Sequence, residues 1–160
     1  MKIVIEKLTN IEHLQEACNF TSGKISNVSL KKMYACEHSP IRTQLFLIKM
    51  YDIHTFVSVH LVRHNINITH FVKSNRSDIT GIEDKDITRL DPVNHLMLMN
   101  AQSLINVARK RLCRKSHEET RKVMILIKEE ILKVDPDLYE FLVPECVYRG
   151  KCYELKPCKK

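Results

Sequence analysis

Two amphipathic segments in the second half of the chain constrain the fold more than any other feature of the sequence. From Leu96 onward apolar residues recur at helical spacing, which predicts a first helix. Its apolar stripe comprises Leu98, Ala101, Leu104, Ile105 and Ala108. Ser116 is followed three residues later by Glu119, a capping-box pattern that predicts the start of a second helix, ending near Asp135-Pro136. This half is therefore predicted to be mainly helical.

The first half of the chain alternates strand-like and helix-like segments. Strands are predicted over Met1–Leu8, Gln44–Tyr51 and Ile66–Lys73. Helices are predicted from Asn10 to about Phe20, and from Ser26 or Asn27 through Met33. Thr55–Val62 fits a strand by propensity and a short helix by apolar spacing, and both readings stay open. Turns are predicted at Glu37–Pro40 and at Asp52–His54, and a polar loop over Ser77–Asn94.

Length and composition limit the class of protein. At 160 residues the chain is predicted to form a single domain, 1–160, with an irregular cysteine-bearing tail over 144–160. No apolar run approaches the ~20 residues of a membrane helix, and charged residues interrupt the N-terminal apolar stretch. We therefore expect a cytoplasmic protein without a membrane partner. The net charge of +7 favours anionic partners such as nucleotides, phosphorylated cofactors or nucleic acid.

Six cysteines are present, and without an export signal disulfides are the less expected use of them. The tail spacing Cys146-x5-Cys152-x5-Cys158 lacks the Cys-x2-Cys hairpin of zinc ribbons. No metal is predicted, and reduced structural thiols are preferred. Zinc held by these three cysteines, with Cys113 or a histidine as fourth ligand, is the weaker alternative.

The stretch from Arg63 to Asp78 points most directly to function. It begins with two adjacent cationic residues, Arg63 and His64, continues as a β-prone segment and ends in Ser74-Asn75-Arg76. Guanidinium groups bind phosphate in a bidentate manner, and a serine hydroxyl can donate beside them. The pattern therefore suits a site for anionic groups at both ends of a short strand.

Several motifs, taken in order, resemble those of the flavin-dependent thymidylate synthases. The family signature is Arg-His-Arg, a spacer, then Ser-x-Arg; here Arg63-His64-Asn65 precedes Ser74-Asn75-Arg76. A turn that ends in Thr-Pro in the family corresponds to His38-Ser39-Pro40. The family helix that begins Asn-Ala-Arg-Ser-Leu corresponds to Asn100-Ala101-Gln102-Ser103-Leu104, followed by Asn106 and Arg111. The resemblance covers roughly residues 36–76 and 98–135.

This resemblance implies an α+β fold in which helices pack on a central, mostly antiparallel sheet, and a homotetramer with active sites between subunits. It implies FAD as cofactor, dUMP as substrate, and NADPH and methylenetetrahydrofolate as co-substrates. Arg111 and Ser74 would be the catalytic residues. The cofactor-binding residues would be Ser39, Arg63, His64, Asn65, Asn100, Gln102 and Asn106. The substrate-binding residues would be His60, Ser74, Asn75, Arg76 and Arg111.

The chain departs from the family pattern at two cationic positions. Asn65 stands in place of the second signature arginine, and Gln102 in place of the arginine of Asn-Ala-Arg. The leading hypothesis is one-carbon transfer to C5 of dUMP, giving dTMP or a related pyrimidine. One alternative is a non-catalytic flavin- or nucleotide-binding relative on the same scaffold. Another is a basic nucleic-acid-binding protein with a metal in its cysteine tail, disfavoured because aromatic residues are few and are not interleaved with the basic ones.

Overall fold

The computed structural model describes residues 1–158, apart from the side chain of Asp84, and contains a four-stranded, wholly antiparallel sheet with the strand order β1-β2-β4-β3. The strands are β1 (Lys2–Lys7), β2 (Leu45–His54), β3 (Ile68–Val72) and β4 (Pro92–Asn100). The longer helices are α1 (Ile11–Ser22), α2 (Leu30–Cys36), α3 (Thr55–Val62), α5 (Ala101–Arg111) and α6 (Glu118–Val134). Three four-residue helices complete the set: α4 (Ser77–Thr80), α7 (Pro136–Tyr139) and α8 (Glu145–Tyr148). The predicted α+β class with an antiparallel sheet is confirmed.

One face of the sheet forms the floor of the hydrophobic core. Strand register aligns Ile3 with Met50 and Ile5 with Ile48, and it aligns Ile48 in turn with Met97. All of these side chains are buried. Helix α6 packs against β1, and its side chains Val123, Met124, Ile127 and Ile131 are fully or almost fully buried. Burial of this much apolar surface is the main favourable contribution to folding.

The other sheet face is more exposed to solvent than the core face. Leu47, Leu96 and Leu98 share that face and are only half-buried, while Phe71 is 58% exposed. An exposed apolar surface of this kind is typical of an interaction site.

A buried carboxylate joins the C-terminal end of α6 to the first strand. Asp135, which is 2% exposed, accepts hydrogen bonds from Lys7 Nζ at 2.7 Å and from the Tyr34 hydroxyl at 2.7 Å. It also accepts one from the backbone N–H of Leu138 at 3.0 Å and so caps α7. Burial, followed by the charge of Asp135, raises the pKa of Tyr34. This network ties β1, α2 and α7 together.

The predicted helix from Leu96 is wrong in its first turn, because residues Pro92–Asn100 form β4 and the helix begins at Ala101. Because β4 begins at Pro92, the loop predicted over Ser77–Asn94 ends earlier than expected. It is also not wholly irregular, since it contains α4 and a 3-10 turn at Asp84–Asp86. The misassignment has a physical cause. A central strand with apolar residues on both faces carries an unbroken apolar run, here Leu96 to Met99, and such a run satisfies helical spacing as well.

Three local predictions also require correction. The turn predicted at Asp52–His54 is a β-bulge, since β2 continues to His54 with Asp52 at φ 54° and the pairing register shifts between Met50 and Ile53. Ser116 does not cap α6; the cap is His117, whose side chain accepts from the Glu119 N–H. The second helix begins at Leu30, with Ser29 rather than Ser26 or Asn27 as its cap. The segment 55–62 is a helix.

The domain prediction, 1–160, and the tail prediction, 144–160, both include residues 159 and 160, which lie outside the described residues. Within the described part of the tail, α8 is the one regular element and the remainder is irregular. No helix formed by residues 1–158 is both long and apolar enough to cross a bilayer.

Candidate functional site

The loop between α3 and β3, residues 63–67, is held in place by three polar contacts. The Ser103 hydroxyl of α5 donates to the Ile66 carbonyl at 3.0 Å. His70 Nε2–H donates to the His64 carbonyl at 2.8 Å. Asn67 adopts a left-handed conformation, φ 56°, which asparagine tolerates better than most residues. This loop is therefore fixed from both the helix side and the sheet side.

The third contact comes from Arg111, the last residue of α5, whose guanidinium lies against the loop. Its Nε–H donates to His64 Nε2 at 2.8 Å, and its Nη2–H donates to the His60 carbonyl at 2.7 Å. Because His64 accepts at Nε2, the neutral imidazole carries its proton on Nδ1. Burial, followed by the charge of Arg111, lowers the pKa of His64 to about 4. Both partners of Arg111 are therefore uncharged at neutral pH.

Positive charge concentrates around His60. Burial lowers the pKa of His60, and the charges of Arg111, Arg63 and Arg89 lower it further. Burial and then the charge of Arg63 also lower the pKa of Arg111. Among the side chains that the structure describes, no carboxylate lies within salt-bridge distance of these three arginines; the Arg89 guanidinium instead lies 4.9 Å from the ring centre of Phe56. The half-buried charge of Arg111 is thus left uncompensated.

Two adjoining cavities open beside this cluster. A polar cleft of about 140 Å³ is lined by Arg63, His64, Asn65, Ile66, Ile68, Ser103, Asn106 and Val107. An apolar cavity of about 450 Å³ is lined by Thr55, Ser58, Val59, Val62, Arg63 and Val72. Arg63 lines both cavities and so stands between them. The structure therefore brings together four of the predicted cofactor-binding residues, namely Arg63, His64, Asn65 and Asn106.

Ser74, Asn75 and Arg76 do not line that cleft. The Arg76 guanidinium forms a two-point exposed ion pair with Asp78, at 3.0 and 2.7 Å, and its backbone N–H donates to Ser74 Oγ at 3.2 Å. Asn75 lines a separate cavity of about 500 Å³ in the region 73–92. An exposed ion pair is weak, so Arg76 can exchange Asp78 for another anion at little cost.

The remaining predicted positions lie at the start of α5, in the 3-10 helix that follows α2, and on α3. Asn100 is buried and caps α5, accepting from the Ser103 N–H at 2.9 Å. Gln102 donates to Glu37 at 2.7 Å and more weakly to Asn106. Ser39 is exposed at the start of a 3-10 helix, Ser39–Thr43. His60 is half-buried, with Nδ1 at 2.8 Å from the Thr120 hydroxyl.

Gln102 faces an ion pair that the sequence did not reveal. Arg109 binds Glu37 and also stacks on Tyr148, whose ring centre lies 3.5 Å from the guanidinium carbon. Burial raises the pKa of Glu37, but hydrogen bonds from Arg109 and Gln102 outweigh it and hold the pKa below its ordinary value. Glu37 therefore neutralises the charge of Arg109, whereas Arg111 donates only to neutral groups.

The tail cysteines divide between two places. Cys146 and Cys152 line a cavity of about 110 Å³ together with Cys113, while Cys158 is half-buried elsewhere. All six cysteines are free, and among the side chains that the structure describes no group of three His, Cys, Asp or Glu is arranged to hold a metal ion.

Sequence reasoning missed Arg89 as well as two histidines, His70 and His95, behind the loop. The backbone of Arg89 accepts from the Phe56 N–H at 3.1 Å, which docks the predicted polar loop onto the start of α3. His70 Nδ1 lies 2.9 Å from His95 Nε2. These contacts join residues 25 or more positions apart, and no local pattern marks them.

Solved structures with the same arrangement of elements identify the fold. The flavin-dependent thymidylate synthase ThyX of Helicobacter pylori, complexed with FAD and dUMP, superimposes with a TM-score of 0.72 over 89% of this chain and 100% of its own, at 12% identity. This chain has the flavin-dependent thymidylate synthase fold. A UMP/dUMP methylase, PolB of Streptomyces cacaoi, bound with 5-Br dUMP, shares that fold with a TM-score of 0.64 over 88% of this chain and 94% of its own, at 13% identity.

Comparison by sequence finds no match for this chain. No protein-family model matches the chain, and no curated protein sequence matches it. The backbone arrangement therefore carries the flavin-dependent thymidylate synthase fold in a chain whose sequence resembles the family only in short motifs.

Acidification should destabilise this fold through two histidines. Burial lowers the pKa of His95 to about 4, and His64 has a similarly lowered value, whereas the ordinary value is 6.5. The unfolded chain then binds more protons than the folded chain between pH 6.5 and 4, so the free energy of unfolding falls as pH falls through that range. We expect Tm to drop by roughly 5 °C or more between pH 7 and pH 5.

Circular dichroism melts of the wild type and of His95→Leu measure this effect. The variant should lose less Tm over the same pH interval, because it lacks one of the two histidines. Equal losses in the two proteins, or a wild-type Tm that does not change between pH 7 and 5, would contradict the assignment.

Proposed function

We propose that this protein binds a flavin and a deoxyuridine nucleotide and catalyses one-carbon transfer to C5 of dUMP. The supporting observation is the half-buried guanidinium of Arg111, which donates to neutral acceptors and lies near Arg63, with Arg89 also close to the neighbouring His60. A partly desolvated charge without a counter-ion is costly. An anionic ligand in the adjoining cleft would compensate that charge.

The residues beside the cleft fit FAD as the cofactor. The apolar cavity suits a planar aromatic ring system, and the polar cleft beside Arg63 suits phosphate groups; the larger cavity falls within the usual size range of ligand sites. Arg63, His64, Asn65 and Asn106 would hold the cofactor, with Asn100 fixing the start of α5 beneath it. When bound, the flavin supplies the redox chemistry, and the protein supplies orientation and charge.

The chemical role of Arg111 follows from its partners. Since His64 Nε2 and the His60 carbonyl oxygen accept hydrogen bonds from Arg111 and carry no net charge, they orient the guanidinium without neutralising it. A fixed cation of this kind stabilises negative charge that develops on a pyrimidine ring during activation. With NADPH as reductant and methylenetetrahydrofolate as carbon donor, the product would be dTMP or a related C5-modified pyrimidine.

Ser74, Asn75 and Arg76 are proposed to bind the nucleotide from another subunit of a homotetramer. Two observations support this arrangement: these residues do not line the cleft of their own chain, and one sheet face carries exposed aromatic side chains, with Phe71 58% and Tyr51 37% exposed. Multi-angle light scattering should give a mass near four times the chain mass of 18.8 kDa. A monomer at micromolar concentration, with or without ligands, would argue against shared sites.

An absorbance spectrum tests the proposed function directly. Protein purified with FAD, or reconstituted with it, should show a flavin band, and titration with dUMP should shift that band. Deoxyuridine is the matched control because it carries the same base without the phosphate, and we expect it to bind much more weakly. Protein that remains colourless after FAD is added, and that does not bind dUMP, would refute the proposal.

A non-catalytic binding protein is the second candidate. It is favoured by one observation: Gln102 stands in place of an arginine of the family motif, and its side-chain amide donates a hydrogen bond to Glu37. Such a protein would bind the flavin and dUMP but would show neither NADPH oxidation nor tetrahydrofolate-dependent formation of a methylated product. Measuring turnover alongside binding separates the two candidates.

A further inference from the structure

Behind the Arg63–Asn67 loop, two histidines form a hydrogen-bonded chain on the core side of the sheet. Val72 pairs with His95 in the strand register and His70 pairs with Met97, so His70 and His95 are diagonal neighbours on adjacent strands. His70 is half-buried, and His95 is only 1% exposed. Diagonal side chains on one sheet face lie within reach of each other when they are long or aromatic.

The partners of this pair determine where its protons lie. A carbonyl oxygen can only accept, so the 2.8 Å contact to the His64 carbonyl requires a proton on His70 Nε2. With each ring neutral, His70 Nδ1 is then an acceptor. His95 must therefore donate from Nε2 across the 2.9 Å contact. His95 Nδ1 is left as a buried lone pair with no partner in the described part of the chain.

A buried nitrogen without a hydrogen-bond partner lowers the free energy of unfolding. Packing alone therefore does not account for a histidine at position 95 or for its hydrogen bond to His70. This series of hydrogen bonds ends at His64, which supports Arg111. The His64 carbonyl accepts from His70, and the His64 imidazole accepts from Arg111. No hydrogen-bonding side chain other than His70 contacts the His64 carbonyl among residues 1–158.

We propose that His70 and His95 are positioning residues: together they fix the Arg63–His64 backbone and thereby the imidazole that orients the Arg111 guanidinium. Groups that orient a binding residue from behind often matter nearly as much as the residue itself. The ligand consequence rests on the function proposed above, whereas the hydrogen-bond arrangement does not.

Nitrogen-15 NMR of the imidazoles, recorded on the ligand-free protein at pH 7, tests the arrangement itself. We expect neutral tautomers with the proton on Nδ1 of His64 and on Nε2 of both His70 and His95. A proton on Nδ1 of His70 in the neutral ring would overturn the proposal, whatever the protein binds. This measurement is independent of flavin and nucleotide.

Three variants test the positioning role in binding. His70→Leu removes the donor to the His64 carbonyl and should weaken dUMP binding to the flavin-loaded protein roughly fivefold to tenfold. His70→Gln retains a donor near the Nε2 position and should restore most of the affinity, which a merely structural role would not predict. His13→Leu, on the exposed face of α1, is the matched control and should bind like the wild type.

The outcomes separate this inference from the proposed function. If the wild type binds no flavin and no dUMP, the function proposal fails and NMR alone decides the positioning proposal. If the wild type binds both and His70→Leu binds equally well, the positioning role is overturned. If His70→Leu does not fold, His70→Gln decides: affinity near that of the wild type supports the role, and a loss as large as tenfold contradicts it.

Discussion

Replacing Arg111 with alanine is expected to remove most of the affinity for dUMP and to abolish the dUMP-induced shift of the flavin band. Truncating one partner of a buried, hydrogen-bonded charge pair costs about 2–5 kcal/mol, which corresponds to roughly 30-fold or more in Kd. Arg111 is half-buried and both of its protein partners are neutral, so the ligand would be the only counter-charge it gains.

The matched control is Arg114→Ala, which removes the same charge from an exposed position three residues further on. It should change Kd by less than about threefold at physiological salt, because exposed charges are screened. Isothermal titration with dUMP, together with a circular dichroism spectrum of each variant, separates loss of binding from loss of folding. Arg114→Ala and Arg111→Ala with equal affinities would show that Arg111 does not contact the nucleotide.

Replacing Asp135 with alanine is expected to lower the free energy of unfolding by about 3–5 kcal/mol, the usual cost of breaking a buried ion pair from one side. The variant leaves Lys7 Nζ without its counter-ion and the Tyr34 hydroxyl without its acceptor. It also removes the cap of α7. Since small domains are stable by only about 5–15 kcal/mol, this single change approaches the limit of stability.

Urea denaturation measures the loss, and Glu140→Ala provides the control. Glu140 pairs with Lys31 at 2.7 Å, the same distance as the buried pair, but both side chains are about half exposed. An exposed pair contributes about 0–1 kcal/mol, so the control should remain close to the wild type. If the two variants were destabilised equally, burial would not be what makes the Asp135 network important.

The local patterns of the chain correctly indicated several elements. Alternating apolar residues marked β1, a mostly apolar run marked the core of β2, and the apolar stripe of α6 faces inward as its spacing predicts. These patterns succeed because one face of each element is buried and the other is solvated, so a period of 2 or 3.6 residues appears directly in the sequence. Strand β4 was not predicted, because its residues were assigned partly to a loop and partly to a helix.

Strand β4 shows why some of the fold could not be derived in this way. It lies between β2 and β3 and carries apolar residues on both faces, so the period disappears over Leu96–Met99. The bulge at Asp52 is another case, because a shift of pairing register depends on the partner strand and not on the bulged residues alone.

The sequence by itself determined which residues have the right chemistry: the adjacent Arg63 and His64, the amides at the start and middle of α5, and Arg111 at its end. Only the tertiary structure decided which of them meet. It set Arg111 against His64, placed Ser74 and Arg76 elsewhere, and supplied Arg89, His70 and Glu37 from distant segments. The reason is physical, since charge and hydrogen-bonding capacity belong to single residues, whereas compensation, burial and pKa depend on neighbours that only folding brings within a few ångströms.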